Sequence, residues 1–569
     1  LALVILASLA LATDGSAQPA PVKKAQPAGA TKAGATKAGA KPAAPQPEAP
    51  AEPDVSPVVV FSRALDAFAR EKFDKAAALS WQFLSAAKAG DPKYESAQFY
   101  LARSLDRLGL SHGAVEYYFL VANTRRSPEL LPRAIKGLET ISLVKPFDED
   151  LVIRDLVGDT DFGDLPGDLT DFLHYWQGLT NLRRGLSVWS SERLLKVTRW
   201  GYYYYSALVV SATRLLRPQK RSNRLEAVTT FADLYGPVDL GSALEAMRRK
   251  GQGDVKLAYA IKALINDDNE VSVHYNRLPK GWEVELAMLG YARVVAETRA
   301  LLARSRTTDE ETLGLPVSYT VRVGGVPIYS RTVPLEYRAK AIKAVAARRE
   351  GVRKVLGRAL HSLGRLLYEQ QRFGAAHAAL EAIPEGTEAS SEVMLERAWS
   401  KYKAGDPHRA MGLLFALDAP VFRPIFAPEK YILRGLIYRK FCQFRAAKLA
   451  ARRYRIDYRK TLAEIRAGTP LAKIDAVRRA ALHRPPARGI YLFQQTLRSE
   501  QAAINERLPY SAGDLRQHLR RVYKQKLDQV QAKLDRALKQ SCQEVAREML
   551  KAEEQSYLLE FEVGQAIFQ

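Results

Sequence analysis

The sequence predicts an all-α chain built as an α-solenoid of helical hairpins, with a small β-hairpin insertion and a long C-terminal helix. Three observations point there. Small residues recur in pairs twelve apart: Gly364 and Ala376, Ala398 and Ala410, Gly435 and Ala447. The first two pairs are offset by 34 residues and the third by a further 37, an excess that an insertion around Pro420–Pro428 explains. Finally, apolar residues follow helical spacing almost throughout, and only Val317–Val333 alternates. Small residues on both helices of a hairpin let the two axes approach. Leu363, Leu367, Phe373 and Leu380, then Trp399, Leu414 and Leu417, then Ile437, Tyr438 and Phe444 fill the space around them. Each hairpin keeps an apolar face that only a neighbour covers, so the units stack.

These residues resemble the tetratricopeptide repeat (TPR) superfamily. Position 17 of that repeat, usually aromatic, is Pro407 in the second unit, and the tryptophan usual early in the first helix is missing, although Trp399 stands elsewhere on it. The resemblance implies a wall lined by the first helix of each unit that takes a peptide or a helix of a partner protein. The matching positions are Arg365, Tyr368 and Glu369, then Trp399, Tyr402 and Lys403, then Leu436, Arg439 and Lys440. Their mixture of cations and aromatic rings suits an acidic, partly apolar segment. The chain also resembles exported TPR proteins of Gram-negative and myxobacterial cell envelopes, among them gliding-motility components, which implies a periplasmic place in a multiprotein machine.

In chain order, residues 1–17 read as a signal peptide. LALVILASLALA is apolar but too short to span a bilayer, and small residues follow it. Residues 18–57 are an Ala/Pro/Lys linker with too little apolar surface to offset the entropy of ordering. Residues 58–145 hold N-terminal TPR-like repeats, with Ala64 and Ala76, then Ala102 and Ala114, each twelve apart. A further helix opens after Pro128 and runs through Leu143. Residues 146–350 read as an irregular α-solenoid. It includes a degenerate unit at Gly178 and Ser190, helices at Tyr202–Arg217, Leu225–Tyr235, Val255–Ala263 and Val284–Arg304, and the β-hairpin 317–333 around Gly324-Gly325. That hairpin is either a docking tongue or a loop folded back on the solenoid. Residues 351–460 are the C-terminal repeats. Residues 461–569 form a basic cap and a long helix over Leu515–Ala552, whose stripe (Leu527, Val530, Leu534, Ala537, then Leu538, Cys542, Val545, Met549, Ala552) suits a coiled coil or packing along the solenoid. The basic run Arg445–Lys460 is expected to cap the array.

Lysine and arginine number 86 against 62 acids, a net charge of +24. That balance favours anionic partners, so a cell-wall polymer is the alternative to a protein segment. No sequence-reading module accompanies the charge, which disfavours nucleic acid. The eight histidines show no metal-ligand spacing, and neither a nucleophile elbow nor a phosphate loop is present. The expectation is therefore a scaffold and not an enzyme, with no cofactor, no metal and no membrane span. Cys442 and Cys542 are expected to be independent.

Overall fold

The computed structural model describes residues 56–124, 126–144, 165–217, 221–249, 281–305, 317–323, 326–333, 348–388, 390–422 and 426–568. The signal-peptide run, nearly all of the linker, the helix expected at Val255–Ala263 and the Gly324-Gly325 turn lie outside the described residues. Six helical hairpins stand out among the described residues. They are α1 (Pro57–Ala69) with α2 (Phe73–Ala86), and α3 (Tyr94–Arg107) with α4 (Ser111–Thr124). After α5 (Leu130–Val144) comes the hairpin α6 (Gly167–Arg183) with α7 (Ser187–Leu195). Four central helices follow: α8 (Tyr202–Leu215), α9 (Arg221–Tyr235), α10 (Pro237–Arg249) and α11 (Trp282–Arg304). The strands β1 (Val317–Val323) and β2 (Val326–Val333) precede the last three hairpins: α12 (Arg349–Glu369) with α13 (Phe373–Glu381), α14 (Ser390–Lys403) with α15 (Pro407–Ala416), and α16 (Glu429–Lys440) with α17 (Phe444–Asp457). The chain closes with α18 (Arg459–Arg466), α19 (Asp475–Leu482), α20 (Ala487–Arg507) and α21 (Gly513–Phe568).

One local device makes all six hairpins. Seven residues after the small residue of the first helix stands a left-handed residue: Glu71, Gly109, Gly185, Gln371, Gly405 and Cys442, with φ between 56° and 86°. The next residue donates its N–H back into the helix, as Lys72 does to Ala67 O and Gln443 to Tyr438 O, both at 2.9 Å. The left-handed residue itself bonds three residues back, as Gln371 does to Tyr368 O at 2.9 Å. This pairing is a Schellman stop, which satisfies carbonyls that the helix end leaves open. The second helix starts at once, and its small residue falls five residues on, opposite the first.

The small pairs are buried as their spacing requires. Ala64, Ala76, Ala102, Ala114, Ala376, Ala398, Ala410 and Ala447 are all 0–1% exposed. A methyl group on Gly364 would lie 2.8 Å from Leu380, and one on Gly178 would lie 2.7 Å from Leu194. The degenerate unit is a true hairpin, closed by a Ser190 hydroxyl that donates to Gly178 O at 2.7 Å.

The central helices carry Tyr203, Tyr204 and Tyr205 into the main core, which runs from Val60 through the fourth hairpin and takes in α20 and the start of α21. A buried Glu139 binds this region together: it accepts from Tyr203 (3.1 Å) and from Arg348 (2.6 Å). The β-hairpin is antiparallel, with Val317 opposite Val333 and an irregularity at Val321/Arg322. Its Tyr319, Val321 and Ile328 are buried. Arg331 pairs with Asp239, which also faces the buried Arg293, itself 2.6 Å from Glu297. The hairpin is thus folded back on α10 and α11.

The C-terminal helix is longer than its apolar stripe suggested. It runs 56 residues, about 84 Å at 1.5 Å per residue. Leu534, Cys542, Val545, Met549 and Ala552 are buried within the chain, so the stripe packs on the protein's own helices. No helix among the described residues is long and apolar enough to cross a membrane.

Candidate partner-binding face

Successive first helices α12, α14 and α16 lie side by side, and the residues that follow their small positions meet the next helix in turn. Arg365, one residue past Gly364, reaches Glu392 and Glu396 of α14; its Nε lies 2.8 Å from Glu396. Trp399, one past Ala398, donates its indole N–H to Glu429 of α16 at 3.0 Å. Glu392 and Glu429 both stand six residues before their small residue. This repeat-spaced glutamate is the signal that sequence reading missed: it forecasts that Arg365 and Trp399 spend their polar groups on the neighbouring hairpin.

The remaining expected residues divide clearly. Tyr368 is half-buried against Phe373, with ring centroids 5.2 Å apart. Tyr402 stacks edge-on to Trp399 at 6.2 Å and carries the Lys440 ammonium 5.8 Å above its ring. Glu369, Lys403 and Lys440 are exposed. Leu436 is half-buried against the last two apolar clusters. Arg439 pairs with Glu562 of α21. The structure therefore brings Tyr402, Lys403 and Lys440 to the surface on neighbouring helices, while Arg365, Trp399, Leu436 and Arg439 serve the stack itself.

A charged clasp lies beside this face. His361 Nε2 is 2.7 Å from Glu396 and its Nδ1 is 3.4 Å from Glu388. Burial opposes its charge, but the two carboxylates outweigh burial and hold the imidazole pKa up to about 9. Glu396 is pushed the other way: burial raises it, and His361 and Arg365 together hold it below the ordinary carboxylate range. His361, Glu392 and Glu396 converge closely enough to ligate a cation. The Arg365 guanidinium and the charged imidazole already supply that positive charge, so the chemistry of the cluster is that of an ion-pair clasp between the fourth and fifth hairpins.

The last hairpin is covered from outside the repeats. Ala451 stands where Leu380 and Leu414 stand in the two preceding hairpins, and the room it leaves is taken by Leu559, which lies against Gly435. Arg452 and Arg455, expected on an outer cap, pair with Glu560, and the Tyr454 hydroxyl donates to Met549 O at 2.7 Å. At its other end α21 grips the first repeats. His518 stacks on Trp81 at 4.3 Å and meets the Tyr117 hydroxyl at 3.0 Å. The Tyr523 hydroxyl accepts from Gly113 N–H at 3.2 Å and donates to Glu500 at 2.7 Å, while Glu500 accepts His112 N–H at 2.9 Å. Glu500 and Tyr523 thus cap the open first turn of α4 from nearly 400 residues away. Burial, and Glu500 after it, push the Tyr523 hydroxyl well above its ordinary pKa. Cys442, at the last hairpin turn, is free and exposed; Cys542 is free and buried.

No protein-family model matches the chain, and no curated protein matches it. Among solved structures it is similar to the Cut9–Hcn1 hetero-tetramer of APC/C, at 12% identity over 82% of this chain and 96% of that one, with a TM-score of 0.19. It is also similar to a circular tandem repeat protein with a novel repeat topology, at 15% identity over 86% and 98%, with a TM-score of 0.13. Superpositions at those scores bear no weight for function. What the coordinates themselves show is an α-solenoid of TPR-like helical hairpins.

Proposed function

We propose that this chain is a non-enzymatic scaffold that holds a segment of a partner protein against the first helices of its C-terminal hairpins. The observation that carries this reading is the surface formed by Tyr402, Lys403 and Lys440. Two cations and an aromatic ring on adjacent helices, with Tyr368 and Glu369 one hairpin away, suit an acidic segment bearing an apolar side chain. The signal-peptide-like start and the Ala/Pro/Lys linker support export and a place in a cell-envelope assembly, gliding motility being one such setting. The test is crosslinking in intact cells followed by mass spectrometry, with wild type and Lys403→Glu/Lys440→Glu compared. These two lysines are exposed and make no ion pair among the described residues, so the fold is preserved and the principal crosslinked partner is lost. Retention of that partner at wild-type yield overturns the reading.

A second reading has its own observation. Between Arg445 and Lys551, 25 lysines and arginines face 10 acids, so most of the +24 charge sits on the second helix of the last hairpin and the helices that follow it. This supports binding to an anionic cell-wall polymer. Such binding is released at about 0.5 M salt, where the Debye length is only a few ångström, whereas a segment anchored through buried contacts stays bound.

A further inference from the structure

Tyr118 departs from the pattern of the second helices. It stands four residues past Ala114, where the third, fourth and fifth hairpins carry Leu194, Leu380 and Leu414. Its side chain is 4% exposed, yet its hydroxyl has no hydrogen-bond partner among the described residues. Gly137 of α5 keeps the space for it: a methyl group there would lie 2.5 Å from the ring carbon that bears the hydroxyl. A leucine position has thus been given a polar group that the core does not use, whereas buried polar groups are ordinarily satisfied. Three arginines gather round this hydroxyl. Arg103 and Arg107 lie one turn apart on α3, and Arg133 comes from α5. Arg103 and Arg133 lie over the same Phe99 ring, 5.9 and 4.8 Å from its centroid. Arg103 also lies 4.9 Å over Phe68, and Arg107 lies 5.9 Å over Phe73. Burial and Asp106 push the Tyr118 hydroxyl pKa up and all three guanidiniums pull it down, so their fields meet there. None of the three guanidiniums makes an ion pair or a hydrogen bond among the described residues. Arg365, which holds the place of Arg103 two hairpins later in the array, spends its charge on Glu392 and Glu396.

We propose that this cluster is a phosphate site, in which Arg103, Arg107 and Arg133 hold the oxygens of a phosphate dianion, free or as a monoester, and the Tyr118 hydroxyl donates to one of them. Stacking on the phenylalanine rings fixes the guanidinium planes and leaves their N–H edges open to a ligand. The charge fits. Three guanidiniums against the Asp106 carboxylate leave two positive charges, and a phosphate monoester carries about −1.5 to −2 at pH 7. A carboxylate has one charge and two oxygens, so it leaves part of the cluster unmatched. Burial keeps Tyr118 protonated, which makes it a donor to the anion and not a rival charge. The site lies on other hairpins than Tyr402, Lys403 and Lys440 and stands apart from the reading proposed for them.

Isothermal titration calorimetry of the full chain with inorganic phosphate at neutral pH tests this, with acetate as the carboxylate comparator. Phosphate is expected to bind saturably, one per chain, and acetate is not. Arg103→Gln/Arg133→Gln abolishes the binding with unchanged circular dichroism. Tyr118→Phe keeps the ring and the fold and weakens binding about tenfold, the loss of one hydrogen bond to a charged group. Lys403→Glu/Lys440→Glu binds phosphate as wild type does, so this result does not depend on the partner-binding face. Sedimentation with phosphatidylcholine vesicles, with and without phosphatidic acid, separates the sources. Capture on phosphatidic acid that needs Arg103 and Arg133 assigns a lipid headgroup, and calorimetric binding without capture assigns free phosphate. No saturable phosphate binding, or equal affinity for acetate, overturns the proposal. Binding that persists unchanged in the arginine and tyrosine variants is general attraction to the +24 chain and overturns it too.

Discussion

Leu559, near the end of the chain, occupies the space that Gly435 leaves in the last hairpin. In the two hairpins before it that space belongs to a leucine of the hairpin's own second helix, Leu380 or Leu414; here Ala451 holds that position. Leu559→Ala removes a 3%-exposed side chain from this seat. The expected cost is about 2–5 kcal/mol, as for other buried leucines. Hydrogen exchange should accelerate in α16 and α17 and stay unchanged in α1 to α4.

Glu500 links the two ends of the sequence by capping α4. Glu500→Ala leaves the His112 N–H and the Tyr523 hydroxyl without their acceptor in a buried site. A loss of about 1–3 kcal/mol follows from stranding such groups. The amides of His112 and Gly113 should exchange faster, and the melting temperature should fall.

His361 makes the clasp between the fourth and fifth hairpins sensitive to alkaline pH. Its folded pKa of about 9 exceeds the ordinary histidine value. The stabilisation is therefore complete below pH 6.5 and is lost as pH rises through 9. The shift corresponds to at most about 3 kcal/mol. His361→Gln should lower the melting temperature at pH 6, and the gap to wild type should close by pH 10. A gap that stays constant across this range would mean that the charge on His361 contributes nothing.

Three of the six hairpin turns place a side chain in the left-handed region, at Glu71, Gln371 and Cys442, where the other three use glycine. Cys442→Gly, together with Gln371→Gly, should raise the melting temperature. The relief of about 1 kcal/mol per site exceeds the entropy that glycine adds to the unfolded chain. Differential scanning calorimetry of the single and double variants decides the sign.

Much of the repeat architecture is legible in the sequence because it rests on spacing. Gly364 with Ala376 and Ala398 with Ala410 are visible as small residues at a fixed interval, and the β-hairpin shows as two alternating runs. Even the degenerate unit at Gly178 and Ser190 betrays itself by the same interval of twelve. The expected contact residues are less legible. Arg365 and Trp399 sit at the right positions, but their fate depends on Glu396 and Glu429, one hairpin further on. Arg439 depends on Glu562, 123 residues away. The reach of α21 is likewise hidden: the stripe through Ala552 is visible, yet Leu559 and Val563 extend it only because Gly435 and Ala447 await them. No local pattern reports where a distant helix will come to rest.

The long helix sets the mechanics of the whole array. Tyr523 is fastened to the second hairpin and Leu559 to the sixth, about 54 Å apart along one rod at 1.5 Å per residue. Solenoids ordinarily flex like springs, each joint giving a little. Here a bowstring joins the limbs, so the coil cannot lengthen or tighten unless one fastening slips. A pull applied to either limb is felt at the other.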